Sequence, residues 1–298
     1  MSSFFNKTSK YFSFIKISHT LFSVPFALIG FFLGTSEANN RPDILLLLLV
    51  LLCVLFARNA AMGFNRYADR VFDKKNPRTS NREIPQNHIK PWSALVFIIV
   101  NAVLFIGTSW FINVLCFALS PIALIVILGY SYTKRFTSLA HYILGLGLSL
   151  APIGAYLAVT GRFALVPVLY SVVVFFWVSG FDVIYSLQDE EFDRAENLKS
   201  IPSFFGRKKA LTISSVTHVI CGLCVCVAGV YSDTGVFFWI GALLFIGLLV
   251  YQHRIVKPLD ISRVNIAFAT TNGFAGIIFA AFVITDICFK VPIWNFLF

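Results

Sequence analysis

The chain has 298 residues, 58% of them hydrophobic and 13% charged, with a mean hydropathy of +0.80. Soluble domains carry about 25% charged residues, so this balance excludes an ordinary soluble fold and points to a polytopic membrane protein, read as one bundle over residues 1–298. The formal net charge of +10 does not imply a nucleic-acid partner, because the basic residues sit in short loops between apolar runs.

In chain order, residues 4–15 mix Phe with Lys and read either as a short interfacial helix or as a frayed tail. Lys7, Lys10 and Lys16 precede an apolar region as in a signal peptide, but no A-x-A site follows. Apolar runs of near 20 residues mark membrane helices. Nine are expected, at approximately 18–35, 44–64, 92–111, 114–130, 139–159, 164–182, 210–230, 236–251 and 264–287. The expected class is all-α, a polytopic bundle of nine transmembrane helices. The segments that would share one face of the membrane are 1–17, 65–91, 131–138, 183–209 and 252–263. They hold twenty Lys and Arg residues, against Arg41, Arg162 and Lys290 opposite. That asymmetry places the N-terminus in the cytoplasm. Asp286, near the outer end of the last span, reads as interfacial.

The first long polar stretch, Asn65 to Pro85, leaves the second apolar run. Asn65, Asp69 and Asp73 are spaced four apart, which on a helix aligns them along one face. Two carboxylates and an amide oxygen suit Mg²⁺, which takes one or two carboxylates, keeps waters and completes its shell with substrate phosphates. Lys74, Lys75, Arg78 and Arg82 follow, and arginine grips phosphate with a bidentate fork. A solvated helix cap followed by topology-setting cations has the same appearance.

The second polar stretch, residues 182–202, decides between these. Asp182, Tyr185, Asp189 and Asp193 again fall on one helical face, and each D-x3-D pair is followed by basic residues and an Ile-Pro step (Ile84-Pro85, Ile201-Pro202). Recurrence on the same side of the membrane favours two facing carboxylate pairs holding two Mg²⁺ ions with a diphosphate between them.

At these residues the chain resembles the UbiA superfamily of intramembrane aromatic prenyltransferases. The N-x3-D-x3-D motif of that family matches Asn65, Asp69 and Asp73, and its continuation matches Arg78, Thr79, Arg82 and Pro85. The D-x2-Y-x3-D-x3-D motif matches Asp182, Tyr185, Asp189 and Asp193, with Lys199, Ser200, Pro202, Phe205 and Gly206 trailing. The resemblance implies transfer of a polyprenyl group from its diphosphate to an aromatic acid, with Mg²⁺ held by Asn65, Asp69, Asp73, Asp189 and Asp193. Asp69, Asp73, Asp182, Asp189 and Asp193 would be catalytic, and Arg58, Asn65, Arg78, Arg82, Lys134, Tyr185 and Lys199 would bind substrate. Arg66 after Asn65, and the phrases G-F-N-R and Q-D-x-E-F-D-R, resemble the menaquinone branch that prenylates a dihydroxynaphthoate. Gln86 departs from the family, many of whose members have Ser or Arg and then Gly after the Pro. The alternatives are a hydroxybenzoate enzyme of ubiquinone biosynthesis, a haem O farnesyltransferase, or a secondary transporter. Transporter sites lie near the midplane, whereas these carboxylates fall at cytoplasmic helix ends. The expected setting is a bacterial inner membrane, with lipid around the bundle and the site facing the cytoplasm.

Arg58 lies inside the second span, seven residues before Asn65 and on its face. A charge there faces a cavity, and it would bind an acceptor carboxylate or a phosphate. Tyr132, Lys134 and Arg135 cap the fourth span, as topology signals or as phosphate ligands. The five histidines show no metal-ligand spacing, and Cys221-x2-Cys224 reads as small apolar packing.

Overall fold

A computed structural model describes residues 14–15, 22–39 and 41–289. Most of the stretch read as an interfacial helix, and Lys7, Lys10, Lys16 and Lys290, lie outside the described residues. Phe14 and Ile15 are described, and they are buried against Ile84, Ile89 and Ala94.

The helices are α1 (Val24–Glu37), α2 (Ile44–Ala68), α3 (Arg70–Lys75), α4 (Pro91–Ile112), α5 (Val114–Thr133), α6 (Ala140–Thr160), α7 (Leu165–Ser186), α8 (Glu190–Ala195), α9 (Ile201–Tyr231), α10 (Val236–Ile255) and α11 (Asn272–Phe289). A 3₁₀ turn, Leu187–Asp189, joins α7 to α8, and a π-helical turn, Ile266–Thr271, leads into α11. Among the described residues eight of these helices are long and apolar enough to cross a membrane. The expected first span appears as α1, whose 14 residues cover only ~21 Å at 1.5 Å per residue, short of a ~30 Å hydrocarbon core.

Local chemistry sets the helix ends. Asp43 caps α2, accepting from the backbone N–H groups of Leu45 (2.8 Å) and Leu46 (3.2 Å). Asn113 turns α4 into α5: its Oδ1 accepts from Cys116 N at 2.8 Å and its Nδ2 donates to Leu157 O at 2.9 Å, pinning the turn to α6. Ser200 and Ser203 form a capping box at the start of α9. Gly161 ends α6 at φ +65°, in the left-handed region glycine tolerates.

Successive long helices pack side by side, and α11 returns to α1, which also lies along α6. The α1–α6 contact is close: a Cβ on Gly30 would sit 1.9 Å from the Pro152 carbonyl oxygen. The largest apolar cluster gathers Phe26 of α1 with Trp177, Phe245 and Phe279, while outward side chains such as Val103, Ile125, Leu223 and Leu243 are exposed, as a lipid-facing surface requires. Asp286 departs from its expected interfacial place. It is buried, and its carboxylate accepts from Gly235 N (2.8 Å) and Phe238 N (3.2 Å), capping α10. A buried carboxylate is tolerated there because it satisfies orphan helix N–H groups.

Candidate active site

Both acidic motifs interrupt their helices. The backbone at Asp69 (φ −90°, ψ 4°) ends α2 and starts α3, and that at Asp189 (φ −104°, ψ 3°) separates the 3₁₀ turn from α8. The single continuous helical face expected for each motif is therefore corrected to a bend at the first Asp of each D-x3-D pair. Residues on both sides of each bend line one cavity. Asn65, Asp69 and Asp73 line one wall of this cavity, Asp182, Asp189 and Asp193 the other, and its volume is about 480 Å³.

Ion pairs tie the walls together. Arg78 donates to Asp189 from Nε (2.8 Å to Oδ1) and Nη2 (2.5 Å to Oδ2), and from Nη1 to the Tyr185 hydroxyl at 2.9 Å. Asn76 adds a bond to Asp189 Oδ1 at 3.0 Å. Arg82 Nη1 contacts both oxygens of Asp73, at 2.7 and 2.9 Å. Lys134 reaches Asp193 at 3.4 Å and Arg135 lies 3.8 Å from Asp69. Asn65 Nδ2 donates to Asp69 Oδ2 at 3.0 Å. Burial, reinforced by the charge of Asp73, pushes the Asp69 carboxyl up to about 6 against the pull of Lys134, Arg135 and Arg82. Burial by itself would lower the Lys134 ammonium, but Asp193, Asp189, Asp182 and Asp69 outweigh it and hold it above its usual value.

Arg58, Met62, Tyr130, Leu144 and Leu148 line both this cavity and a second, apolar one of about 430 Å³ that extends past Val54, Ile127 and Ala151 to Leu157 and Phe163. Arg58 thus stands where the charged chamber meets the apolar one. Lys199 is placed differently from expectation. Its Nζ donates to Phe136 O at 3.2 Å, its backbone N donates to Lys134 O at 2.6 Å, and it does not line the cavity. Both bonds go to the turn that follows α5.

Among the described residues no three of His, Cys, Asp and Glu gather closely enough to enclose a metal. Mg²⁺ needs no such cage, since one or two carboxylates, waters and substrate phosphates complete its shell. The oxygen donors on the two walls fit that chemistry, with the cations beside them placed for phosphate.

Sequence reasoning left one participant open and missed others. Arg135, for which the sequence admits both a topology signal and a phosphate ligand, lines the cavity. Arg66 is buried and paired with Glu83 at 3.3 Å. Tyr130 and Asn76 line the cavity, and His141 contacts Asp182 at 2.7 Å. His141 carried no local signal, because its partner lies 41 residues away.

Comparison with known proteins agrees with this architecture. The sequence profile described as the UbiA prenyltransferase family matches residues 23–283. The 4-hydroxybenzoate octaprenyltransferase of Aliivibrio fischeri is 30% identical over 244 residues, covering 82% of this chain and 85% of its own. That of Shewanella pealeana is 27% identical over 247 residues, covering 83% and 85%. The apo structure of a UbiA homologue from Aeropyrum pernix K1 superimposes with a TM-score of 0.81 at 28% identity, over 90% of this chain and 98% of that one. A UbiA homologue from Archaeoglobus fulgidus bound to GPP and Mg²⁺ shares the fold, with a TM-score of 0.74 at 21% identity over 94% and 99%. These matches set aside the transporter alternative. By its family profile, its curated relatives and its all-helical bundle, the chain belongs to the UbiA prenyltransferase family.

Proposed function

We propose that the chain transfers a polyprenyl group from its diphosphate to the ring of an aromatic acid, with Mg²⁺, within one catalytic domain. The observation that carries this reading is the adjacency of the two cavities, a carboxylate- and arginine-lined chamber and an apolar one that share Arg58 in their walls. The charged chamber is matched to a diphosphate and the apolar one to a polyprenyl tail. Asn65, Asp69, Asp73, Asp189 and Asp193 would hold Mg²⁺, which supplies neutralisation of the diphosphate as a leaving group. Arg78, Arg82 and Lys134 exchange their carboxylate partners for phosphate oxygens, a trade of like bonds that arginine's fork makes efficient. The apolar walls keep water from the allylic cation. Arg58 takes the acceptor's carboxylate. The charge asymmetry of the loops supports a site on the cytoplasmic side, and bacterial relatives support the inner membrane.

The curated relatives are named for 4-hydroxybenzoate and octaprenyl transfer, which favours a hydroxybenzoate acceptor and ubiquinone biosynthesis over the dihydroxynaphthoate first expected. The dihydroxynaphthoate reading, in menaquinone biosynthesis, keeps one specific support in Arg66, buried against Glu83 beside Asn65. A panel of 4-hydroxybenzoate and dihydroxynaphthoates, assayed in membranes with one polyprenyl diphosphate and Mg²⁺, tests both. Product from neither class would overturn the aromatic-acid reading.

A further inference from the structure

The five acidic residues around the cavity are not equivalent. Asp69, Asp73, Asp189 and Asp193 each have an arginine or lysine nitrogen within 3.8 Å. Asp182 has none among the described residues. Its Oδ2 lies instead 2.7 Å from Nδ1 of His141, a fully buried side chain at the start of α6. The other ring nitrogen of His141 lies 3.3 Å from the backbone N of Ile201, the first residue of α9. A backbone N–H only donates, so Nε2 is the acceptor and the ring proton sits on Nδ1, donated to Asp182. The imidazole is a neutral bridge with both nitrogens used, and it satisfies one of the orphan N–H groups at the start of α9.

The helix packing is cut to this contact. One turn further along α6, a Cβ on Gly145 would lie 2.3 Å from Ser179 Oγ of α7. The bare glycine lets α6 approach α7 closely enough for His141 to reach Asp182, three residues beyond Ser179. Depth matters too. Asp182 precedes the bend at Asp189 by seven residues and so lies ~10 Å below it at 1.5 Å per residue, while Arg58 precedes the bend at Asp69 by eleven residues, ~16 Å. Both line the charged cavity.

We propose that His141 is a positioning residue that fixes Asp182 as the carboxylate which takes the ring proton. This rests on the aromatic prenyl transfer proposed above. In that reaction the allylic C–O bond breaks and its electron pair leaves with the diphosphate. A π pair of the ring forms the new C–C bond. The C–H bond at that carbon then breaks, its electrons restore aromaticity, and the proton passes to Asp182. Oδ1 is the receiving atom, since it is in no hydrogen bond with a described residue while Oδ2 is held by His141. The other four carboxylates are the ones assigned above to Mg²⁺, and Asp182 is not among them. His141 does not take the proton, because Nδ1 already bears one and Nε2 is held by Ile201.

The test uses full-length protein in membranes, geranyl diphosphate, and 4-hydroxybenzoate carrying deuterium at both ring positions beside the hydroxyl. His141→Gln keeps one donor and one acceptor, His141→Leu keeps neither, and Asp182→Asn keeps the shape but not the base. His141→Leu is expected to lose kcat by about tenfold or more, and Asp182→Asn by about 10²-fold or more, as loss of a positioned base implies. Both should show a larger primary isotope effect than the wild type, with the KM for geranyl diphosphate little changed. His141→Gln should restore kcat and the wild-type isotope effect. A merely structural histidine would lower the yield of inserted protein or kcat without moving the isotope effect. An isotope effect in Asp182→Asn no larger than the wild type's overturns the base assignment, even if His141→Leu fails to insert. Equal isotope effects in the Gln and Leu variants overturn the role of His141. If the wild type leaves 4-hydroxybenzoate unreacted, ring-deuterated dihydroxynaphthoate replaces it. Turnover of neither acid overturns the proposed function itself, and this inference with it.

Discussion

Arg78 and Asp189 stand 111 residues apart in the chain and meet as a two-pronged ion pair, Nε to Oδ1 at 2.8 Å and Nη2 to Oδ2 at 2.5 Å. The pair joins the loop after the first acidic motif to the bend of the second, and carboxylate contact holds the Arg78 guanidinium well above its usual value despite the burial that opposes it. The planar fork that matches a carboxylate also matches a phosphate.

Arg78→Lys keeps the charge and loses the fork. The expected outcome is a rise of about tenfold or more in the KM for prenyl diphosphate, equivalent to ~1.4 kcal/mol, with smaller change in the acceptor KM. Steady-state kinetics in membranes measure both, and an unaltered donor KM would contradict a phosphate role for this side chain.

Asp69→Asn and Asp189→Asn each preserve size and remove a charged oxygen from opposite walls of the cavity. Each is expected to lose most turnover and to need more Mg²⁺ for what remains, while inserting normally. Chelation of Mg²⁺ should abolish wild-type activity, with recovery on readdition. Mg²⁺ titrations of turnover check this, and a variant indistinguishable from wild type at limiting Mg²⁺ would sink the two-wall metal assignment.

Arg58→Lys addresses the acceptor. Arg58 lines both cavities, and a charge-assisted hydrogen bond contributes about 1.5–3 kcal/mol. Binding of the aromatic acid should therefore weaken by roughly tenfold or more, with donor KM unaffected. A rise in donor KM alone would make Arg58 a phosphate ligand instead.

Sidedness is accessible to thiol labelling. Arg41 and His88 are both exposed and flank α2 and its following loop. In a protein freed of its own cysteines, Arg41→Cys should react with an impermeant reagent added to intact cells, and His88→Cys only after permeabilisation. The reverse pattern would place the site outside the cytoplasm.

Much of this protein was legible in order along the chain. Long apolar runs, broken by loops with concentrated lysine and arginine, specify membrane helices through one-dimensional physics, since a helix must satisfy its own backbone in lipid. The eight long helices follow from that, and the two acidic motifs announced themselves by spacing. The bends at Asp69 and Asp189 were not legible, because four-residue spacing fits an unbroken helix as well as a bent one. Lys199 looked like a phosphate ligand by position, yet the turn it shares with Lys134 draws its ammonium to Phe136 O. Asp286 looked interfacial by distance from the helix end, yet it caps a neighbouring helix. His141 had no pattern at all. Its meaning comes from α6, α7 and the start of α9 converging on one imidazole. Local composition determines which segments enter the membrane, because burial of apolar surface and backbone satisfaction act segment by segment. Which side chains face each other, and which carboxylate is left without a cation, depends on helix packing, where glycines such as Gly145 set the distance of approach.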